Sequence, residues 1–397
     1  MKLFKSLLIA PATLGLLAPM SATANELNLA EVSGYSSSEE VQNISEFYPK
    51  ELAVTNSRVD GLEARLNEFE AGSFSETTTA SFSADFYLGA VDGGTPATND
   101  PLMATYGFQI DLNTSFTGED SLDISLDAGN TLTTSTGVAE FDGNSTTDDA
   151  LVVDGVSYTF PVLGATAFVA DNGDASALFT TACTYGGPTN TLDDCGNVNA
   201  APTGGAVAAG VSYDFGNGFT TAAGFQTTTE AVTGIGTVES TDAITLNGAY
   251  IGSNYGLSVS YATIEDGAAD EKSDSYVAFN GYYTPDLEYF PSISVGYEIG
   301  DDASGNTVNS NVATADSDEI TSFFIGLQWD EAGPGSLGVA AGHSSTPENM
   351  DEDYMYEVYY SYPVNDGMTI TPVVYTKTGP SYETAESGLL VKTGFSF

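Results

Sequence analysis

Basic residues are scarce in this 397-residue chain, which has 8 Lys and Arg against 55 Asp and Glu and a formal net charge of −47. Proteins hold nucleic-acid phosphates mainly through Lys and Arg, so the composition excludes a nucleic-acid-binding protein and predicts no nucleic acid among the partners. Strong acidity with few aromatic residues is typical of disorder. This chain has 22 Tyr and 21 Phe, which favour β-strands instead.

Histidine occurs once, as His343, which stands beside Ser344. Covalent hydrolysis needs a nucleophile and a base in contact, and adjacent residues of a strand point to opposite faces. The sequence therefore predicts no catalytic residues and no enzyme. An outer-membrane hydrolase built on His343 is the weakest alternative.

Long hydrophobic runs are also lacking. The apolar run at residues 7–17 is too short to span a membrane as a helix. It lies between a basic start and the small residues Ala22 and Ala24, an arrangement typical of a secretory signal. We therefore expect residues 1–24 to be a signal peptide that is cleaved after Ala24. The remaining chain is then either a secreted soluble protein or enters a membrane as strands.

Cysteine occurs twice, as Cys183 and Cys195. In the oxidising compartment reached after secretion, a local disulfide between them is expected. A metal pair is the weaker interpretation, because no His or third Cys lies nearby. The oxygen-rich segments 171–174 and 316–319 do not match an EF-hand calcium loop. We therefore predict solvated acidic loops, no metal and no cofactor.

The N-terminal part of the chain is divided into two segments. Residues 25–46 are polar without sustained periodicity, whereas residues 47–72 have the 3-4 hydrophobic spacing of a coiled coil. Both arginines of the chain fall at g positions and two glutamates at the following e positions, where parallel chains form ion pairs. This pattern predicts oligomerisation, and one amphipathic helix packed on its own domain is the alternative. The predicted interface residues are Leu52, Val59, Leu62, Leu66, Phe69, Arg58, Glu63, Arg65 and Glu70.

Apolar and polar residues alternate along most of the chain from residue 73 onward. In segment 104–116, for example, Phe108 and Ile110 share one face, and Gln109 and Asp111 share the other. A period of two is the period of a β-strand. Such a strand is either half-buried in a soluble sheet or exposed to lipid in a barrel.

The links between the alternating segments favour the barrel. They are short after even-numbered segments, and long and acidic after odd-numbered ones, as in outer-membrane barrels. A soluble sandwich has no reason to sort its loops in this way. We therefore predict an all-β transmembrane barrel of about 16 antiparallel strands over residues 73–397. The predicted segments are 76–91, 103–117, 120–129, 148–161, 163–171, 205–216, 218–229, 240–252, 254–265, 273–285, 289–301, 317–331, 335–345, 353–362, 366–377 and 386–397.

Several stretches resemble the cyanobacterial outer-membrane porins, which belong with the OprB-like family. Residues 32–42 resemble the mature N-terminus of those porins, and residues 58–66 with 74–79 resemble their coiled-coil linker and first strand. Residues 356–362, 368–372 and 393–397 look like their closing strands.

The resemblance implies a homotrimer of sixteen-stranded pores in the outer membrane of a Gram-negative, cyanobacterial cell. It favours carbohydrates as the transported solutes, but only through the name of the OprB-like family. It also implies a cell-wall-binding S-layer-homology domain before the linker. Here segment 25–46 is at most a remnant of that domain, which puts a peptidoglycan contact in doubt.

The alternating polar face of such a barrel would line a water-filled lumen. Basic residues within the barrel are limited to Lys272, Lys377 and Lys392, and acidic linings attract cations. We therefore predict a cation-preferring diffusion channel for ions and small hydrophilic solutes. A structural or adhesive barrel linked to the cell wall is the alternative. The predicted pore-lining residues are Asp85, Asp111, Asp123, Asp127, Asp214, Glu298, Glu357 and Lys392.

The longest link, about residues 172–204, follows the fifth segment. In porins a loop at this position folds inward and narrows the pore, and the resemblance implies that role here. The disulfide Cys183–Cys195 would stiffen the loop, and the alternative is a surface loop stapled against proteolysis. The predicted constriction acids are Asp171, Asp174, Asp193 and Asp194.

The last segment ends on an aromatic residue. Its lipid-facing row is predicted to close the barrel against the first strand on the short-turn, periplasmic rim. There it would serve as a signal to the barrel-assembly machinery. The residues of this row that we assign to the signal are Leu389, Val391, Phe395 and Phe397.

Overall fold

The chain forms a closed barrel. The structure, a computed structural model, describes residues 78–93, 102–130, 139–141, 147, 149–227, 234–237, 240–265, 273–287, 289–301, 319–347, 352–378 and 385–397. Sixteen antiparallel strands each pair with their neighbours in sequence, and β16 pairs with β1, which confirms the predicted fold class. The strands are β1 (Thr78–Asp92), β2 (Met103–Thr114), β3 (Ser121–Gly129), β4 (Val152–Val162), β5 (Ala165–Asp171), β6 (Val207–Gly216), β7 (Phe219–Thr227), β8 (Asp242–Ile251), β9 (Tyr255–Glu265), β10 (Ser273–Tyr283), β11 (Ser292–Asp301), β12 (Ile320–Ala332), β13 (Gly335–Pro347), β14 (Tyr354–Asn365), β15 (Met368–Thr378) and β16 (Glu386–Ser396).

The predicted N-terminal features lie outside the described residues. They are the signal peptide at 1–24, the polar segment at 25–46 and the coiled-coil segment at 47–72 with its interface residues. Within the part of the chain that is described, no helix is both long and apolar enough to cross a membrane.

The first and last strands close the barrel as predicted. Leu390 pairs with Gly89 across the seam. At its short-turn end, the backbone N–H of Phe82 donates to the carbonyl oxygen of Phe397 and the reverse bond is also made, each at 3.0 Å. The rings of the same two residues stack with centroids 5.7 Å apart. The predicted pairing of the C-terminal segment with the first strand is therefore confirmed.

The rim that holds both ends of the sheet also holds the short turns. Leu163 and Gly164 link β4 to β5 with φ angles of 51° and 84°, and Asn217 and Gly218 link β6 to β7 with 54° and 86°. Two successive residues with positive φ form the turn that matches the twist of a hairpin. The sorting of short and long links is thus built from local turn chemistry.

The link between β2 and β3 differs from the prediction. Strand β2 ends at Thr114 rather than at residue 117, so Phe116 lies in a turn. The carboxylate of Asp120 organises this turn: Oδ1 accepts from the backbone N–H groups of Phe116 at 2.9 Å and Thr117 at 2.7 Å, and Oδ2 accepts from the Tyr158 hydroxyl at 2.7 Å. These donors provide the hydrogen bonds of the Asp120 carboxylate, which a continuing strand would not provide. Strand β2 therefore ends early.

We expect Asp120→Asn to weaken this turn most at neutral pH. The Tyr158 hydroxyl and the Thr117 donors hold the pKa of Asp120 well below its usual range. Because the folded-state pKa lies below the unfolded-state value, the ionised carboxylate stabilises the fold at neutral pH, and this contribution is lost as the pH falls below about 4. Urea unfolding at pH 7 and pH 3 should show a larger difference from wild type at pH 7. Glu119→Gln is the control, and equal differences at both pH values would contradict the role.

The two faces of the wall have opposite character. On β9 the side chain of Leu257 is 60% exposed on the outer face, whereas its neighbour Ser258 is 6% exposed on the inner face. An apolar exposed exterior with a polar interior is the pattern of a barrel in lipid. Exposed aromatic residues gather near the short-turn rim, as in the aromatic girdle of such barrels: Phe116, Phe215, Phe219, Tyr283, Tyr289 and Phe290.

Candidate functional site

The link between β5 and β6 lies inside the barrel. We call residues 172–206 the inward loop. Its first half runs along the inner wall, and its backbone N–H groups donate to inward-facing side chains of four strands between β7 and β11. The pairs are Ala175 to Gln226 on β7 at 2.8 Å, Thr180 to Asn247 on β8 at 3.1 Å, Ala182 to Ser258 on β9 at 2.9 Å, and Thr184 to Ser294 on β11 at 3.0 Å.

Two glutamates of the wall hold the loop farther along, at Tyr185 and at Asn199 and Ala200. Glu298 on β11 accepts from the backbone N–H groups of Asn199 and Ala200, both at 2.8 Å. Glu357 on β14 accepts from the Tyr185 hydroxyl at 2.6 Å. Burial and the neighbouring Glu357 raise the pKa of Tyr185 well above its usual range, so its hydroxyl keeps the proton that it donates.

These contacts correct two of the predicted pore-lining residues. Glu298 and Glu357 do face inward, but each is only 1% exposed because the inward loop covers it. They anchor the loop and do not meet the solution in the pore. Alternation gives the face of a side chain, but it does not reveal a loop packed on that face.

Glycines on the inner wall let the loop backbone approach the strand backbone. A Cβ atom added to Gly296 would lie 1.8 Å from the carbonyl oxygen of Cys195, and one added to Gly224 would lie 1.9 Å from that of Ala175. Both separations are far inside van der Waals contact. Glycine is therefore required at both positions for the loop to lie where it does.

The disulfide lies within the lumen. Cys183 and Cys195 are bonded, with Cα atoms 6.5 Å apart. The carbonyl oxygen of Cys195 accepts from the Asn280 side chain on β10 at 2.8 Å. The bridge therefore closes the part of the loop that packs on the wall, and it does not staple an external surface loop.

The four predicted constriction acids lie in different places. Asp171 ends β5 and pairs with Val156 on the outward-facing row, so it does not line the lumen. Asp174 closes the base of the loop by accepting from the Gly204 N–H at 2.6 Å, and burial raises the pKa of its carboxyl group. Asp193 and Asp194 are exposed on the inward loop. The prediction for Asp171 is wrong because the register of β5 turns it outward.

The wall formed by β1 to β6 remains largely uncovered by the loop. Many inward side chains of β1 to β6 are partly exposed or exposed, although Tyr87, Asp127 and Phe168 are buried. The inward side chains of β8 to β12 are mostly buried. Asp111 Oδ1 accepts from Gln109 at 2.8 Å and from Ser125 at 2.7 Å, while Asp123 Oδ2 accepts from Ser121 at 2.7 Å. Polar neighbours therefore hold these two carboxylates on the inner surface.

The other predicted lining residues of this half of the barrel differ in how far they are exposed. Asp85 is partly exposed, and its Oδ2 lies 3.0 Å from Lys392 Nζ. Asp214 is exposed near the short-turn end of β6, where it accepts from the Gly216 N–H at 2.7 Å. Asp127 faces inward but is buried. Asp85, Asp111, Asp123, Asp214 and Lys392 thus reach solvent on the inner side.

Basic groups of the inner wall are ion-paired where the structure describes them. Lys392 pairs with Asp85, and Lys377 pairs with Glu140. Lys272 lies outside the described residues. Among the described residues, no three His, Cys, Asp or Glu side chains are grouped so as to hold a metal ion. The charge in this half of the lumen that is not balanced by an ion pair is acidic.

His343 lies away from this lumen. It pairs with Phe323 on the outward-facing row of β13, and its Nδ1 is 3.1 Å from the Thr346 hydroxyl. His343 therefore does not contribute to the inner surface.

A second segment inside the barrel was not predicted from the sequence. A single 3-10 turn, Ala139–Phe141, belongs to the link between β3 and β4. Phe141 packs on Tyr87 of β1, with ring centroids 5.3 Å apart. The isolated Glu140-Phe141 pair in an otherwise Gly- and Thr-rich link is the signal that could have found it.

Known structures share this architecture. The chain aligns with a mutant porin of Rhodopseudomonas blastica at a TM-score of 0.53 and 12% identity, covering 81% of this chain and 100% of that one. It aligns with OprB of Pseudomonas putida at a TM-score of 0.58 and 12% identity, covering 81% of this chain and 94% of that one. The chain has the porin fold.

Sequence similarity to a known protein covers less of the chain than the structural similarity does. An uncharacterized protein of Nostoc sp. is 30% identical over 146 residues, which are 34% of this chain and 25% of that protein. The match thus spans about a quarter of the curated relative's length. No family model matches the chain.

Proposed function

We propose that this porin-fold barrel is an outer-membrane channel through which ions and small hydrophilic solutes diffuse, with a preference for cations. The supporting observation is the inner wall of β1 to β6, where Asp111 and Asp123 remain partly exposed. Asp193 and Asp194 add exposed carboxylates from the inward loop. Acidic linings attract cations and repel anions.

The fold supports passive passage. Sixteen strands enclose a lumen wider than side chains alone can fill. The inward loop covers part of that lumen on one side, so solutes would pass along the opposite wall, from β1 to β6. Transport then needs no energy input, and the gradient of the solute drives it.

Ions and small polar solutes fit this lumen better than sugars held by stacking. Sugar-binding pores need aromatic faces in contact with the solute. Most large inward aromatics of the described wall and loop are buried: Tyr87, Phe168, Tyr185, Tyr276, Phe324, Tyr359 and Tyr375. Phe179 of the loop and Tyr282 of β10 are partly buried. We therefore place carbohydrate transport, which the resemblance favours, second to ion and small-solute passage.

The purified protein in a planar bilayer under a KCl gradient should show stepwise openings and a reversal potential displaced toward that of K⁺. The acidic wall raises the local concentration of cations, which is the reason for the expected sign. The displacement should shrink as the salt concentration rises, because screening weakens exposed charges. A reversal potential displaced toward Cl⁻ would contradict the cation preference. The absence of openings would favour the structural or adhesive barrel.

The proposed channel would be a homotrimer, with segment 47–72 contributing to assembly. The support is the heptad spacing together with the family resemblance. Chemical cross-linking of the extracted protein should give a trimer, and a chain without residues 47–72 should give fewer trimers.

The row ending at Phe397 is proposed as the assembly signal, and deletion of Phe397 should reduce insertion more than conductance.

A further inference from the structure

Two segments, rather than one, occupy the lumen next to β15. The first is the tip of the inward loop, residues 186–195. The second is the turn Ala139–Phe141. Glu140 and Phe141 are both buried although they belong to a long link between strands. A buried charged side chain needs hydrogen-bond or ion-pair partners, and Glu140 has both.

Glu140 joins three elements through separate groups. One carboxylate oxygen, Oε1, forms an ion pair with Lys377 on the inner face of β15. The other, Oε2, accepts from the Thr191 hydroxyl at 2.9 Å. Its backbone carbonyl accepts from the Asn190 N–H at 2.9 Å. A single residue thus connects the wall, the turn and the tip of the inward loop.

Other attachments hold the loop on either side of the middle of the tip. On one side of it, Tyr185 bonds to Glu357, and on the other side Asn199 bonds to Glu298. Between these anchors, Leu192 is buried against the inner wall of β13 at Gly342. The contacts of Glu140 with Asn190 and Thr191 attach the middle of the tip, whereas the Asn280 side chain on β10 holds its end at Cys195.

We propose that Glu140 is a positioning residue that fixes the tip of the inward loop, and with it the width and charge of the pore. The tip carries Asp193 and Asp194, whose exposed carboxylates contribute to the proposed cation preference. Releasing the tip would move both charges together. The proposal rests on the proposed channel function, and it adds the residue that holds the narrow part in place.

The first test replaces Glu140 with glutamine, which keeps the size of the side chain and removes its charge. The ion pair of Lys377 with Glu140 would then be lost in a partly buried site, which weakens this contact strongly. Hydrogen exchange of the detergent-solubilised protein should be roughly ten-fold faster at residues 189–195, because exchange reports local opening. In bilayers the variant should show a larger single-channel conductance and more open-channel noise than wild type. Glu331→Gln, an exposed acid near the short-turn end of β12, is the matched charge control.

The second test exchanges the charges. Glu140→Lys and Lys377→Glu each place like charges in contact, and the two together restore an ion pair. A specific interaction should appear as a recovery of wild-type exchange, conductance and noise in the double variant, which independent effects of the two sites would not produce. A purely structural requirement for the native residues would leave the double variant worse than either single one.

The outcomes separate this inference from the proposed function. Wild-type exchange and conductance in Glu140→Gln, in a protein that conducts, would overturn the positioning role and leave the channel standing. A wild-type protein without openings would overturn the channel. Hydrogen exchange would still decide in that case whether Glu140 holds the tip.

Discussion

Gly296→Val is expected to displace the inward loop and to give the largest rise in conductance of any single substitution considered for this barrel. The side chain would enter space that the carbonyl oxygen of Cys195 occupies, since even a Cβ atom would lie 1.8 Å from that oxygen. Overpacking of a tight site costs about 1–3 kcal/mol, occasionally more. The strand ladder on both sides of Gly296 is continuous, so the wall should stay intact while the loop moves. Single-channel recordings and the exclusion limit for uncharged polymers measure the effect.

The matched control for this prediction is Gly248→Val on β8. Gly248 faces outward, and a Cβ atom there would come no closer than 4.0 Å to a neighbouring side-chain atom. Both substitutions insert the same side chain into a strand, but only one faces the loop. A wild-type conductance and exclusion limit in Gly296→Val would show that the loop does not narrow the pore.

The double substitution Asp111→Asn with Asp123→Asn is expected to remove most of the proposed cation preference. Both carboxylates lie on the uncovered wall, where asparagine can keep part of the hydrogen bonding that Gln109, Ser121 and Ser125 provide. A unit charge about 4 Å from a passing ion changes its energy by about 1 kcal/mol in water. Loss of two such charges should therefore lower the K⁺ to Cl⁻ permeability ratio several-fold, with little change in conductance at high salt. Reversal potentials at low and high salt concentration give the ratio.

Asp171→Asn provides the control for this pair. It removes the same charge from the same barrel, but the side chain lies on the outward-facing row of β5. Its permeability ratio should equal that of wild type. An equal fall in the ratio for both variants would mean that overall charge, rather than the inner wall, selects the ions.

The strands could be predicted because their information is local. Alternation, turn residues and loop lengths act within a few positions along the chain, and β1 to β16 follow the predicted segments closely. The exceptions arise where a side chain overrides the pattern. The Asp120 carboxylate accepts hydrogen bonds from backbone N–H groups, and β2 ends before Phe116. The alternation of apolar and polar residues does not indicate this turn.

The lumen could be predicted only in part, because the inward loop packs on the wall without a periodic signal. All eight predicted lining residues face inward, yet Glu298 and Glu357 are covered. A usable clue was present in the small inward residues of the covered wall, such as Gly224 and Gly296, which leave room for the loop backbone. For Glu140 the sequence offers only the isolated Glu140-Phe141 pair, which does not indicate its partners because they are distant in sequence.

The bonds between Phe82 and Phe397 also have a consequence for the order of assembly of the proposed membrane channel. They lie at the seam between β1 and β16. At this seam the backbone N–H and C=O groups of each strand can pair only with those of the other strand. In a bilayer every unpaired backbone group is costly, so the edge of β1 that faces away from β2 has no partner until β16 has been synthesised. For the proposed outer-membrane channel, insertion would therefore be a single late event. Loss of β16 would cost the whole barrel rather than one strand of it.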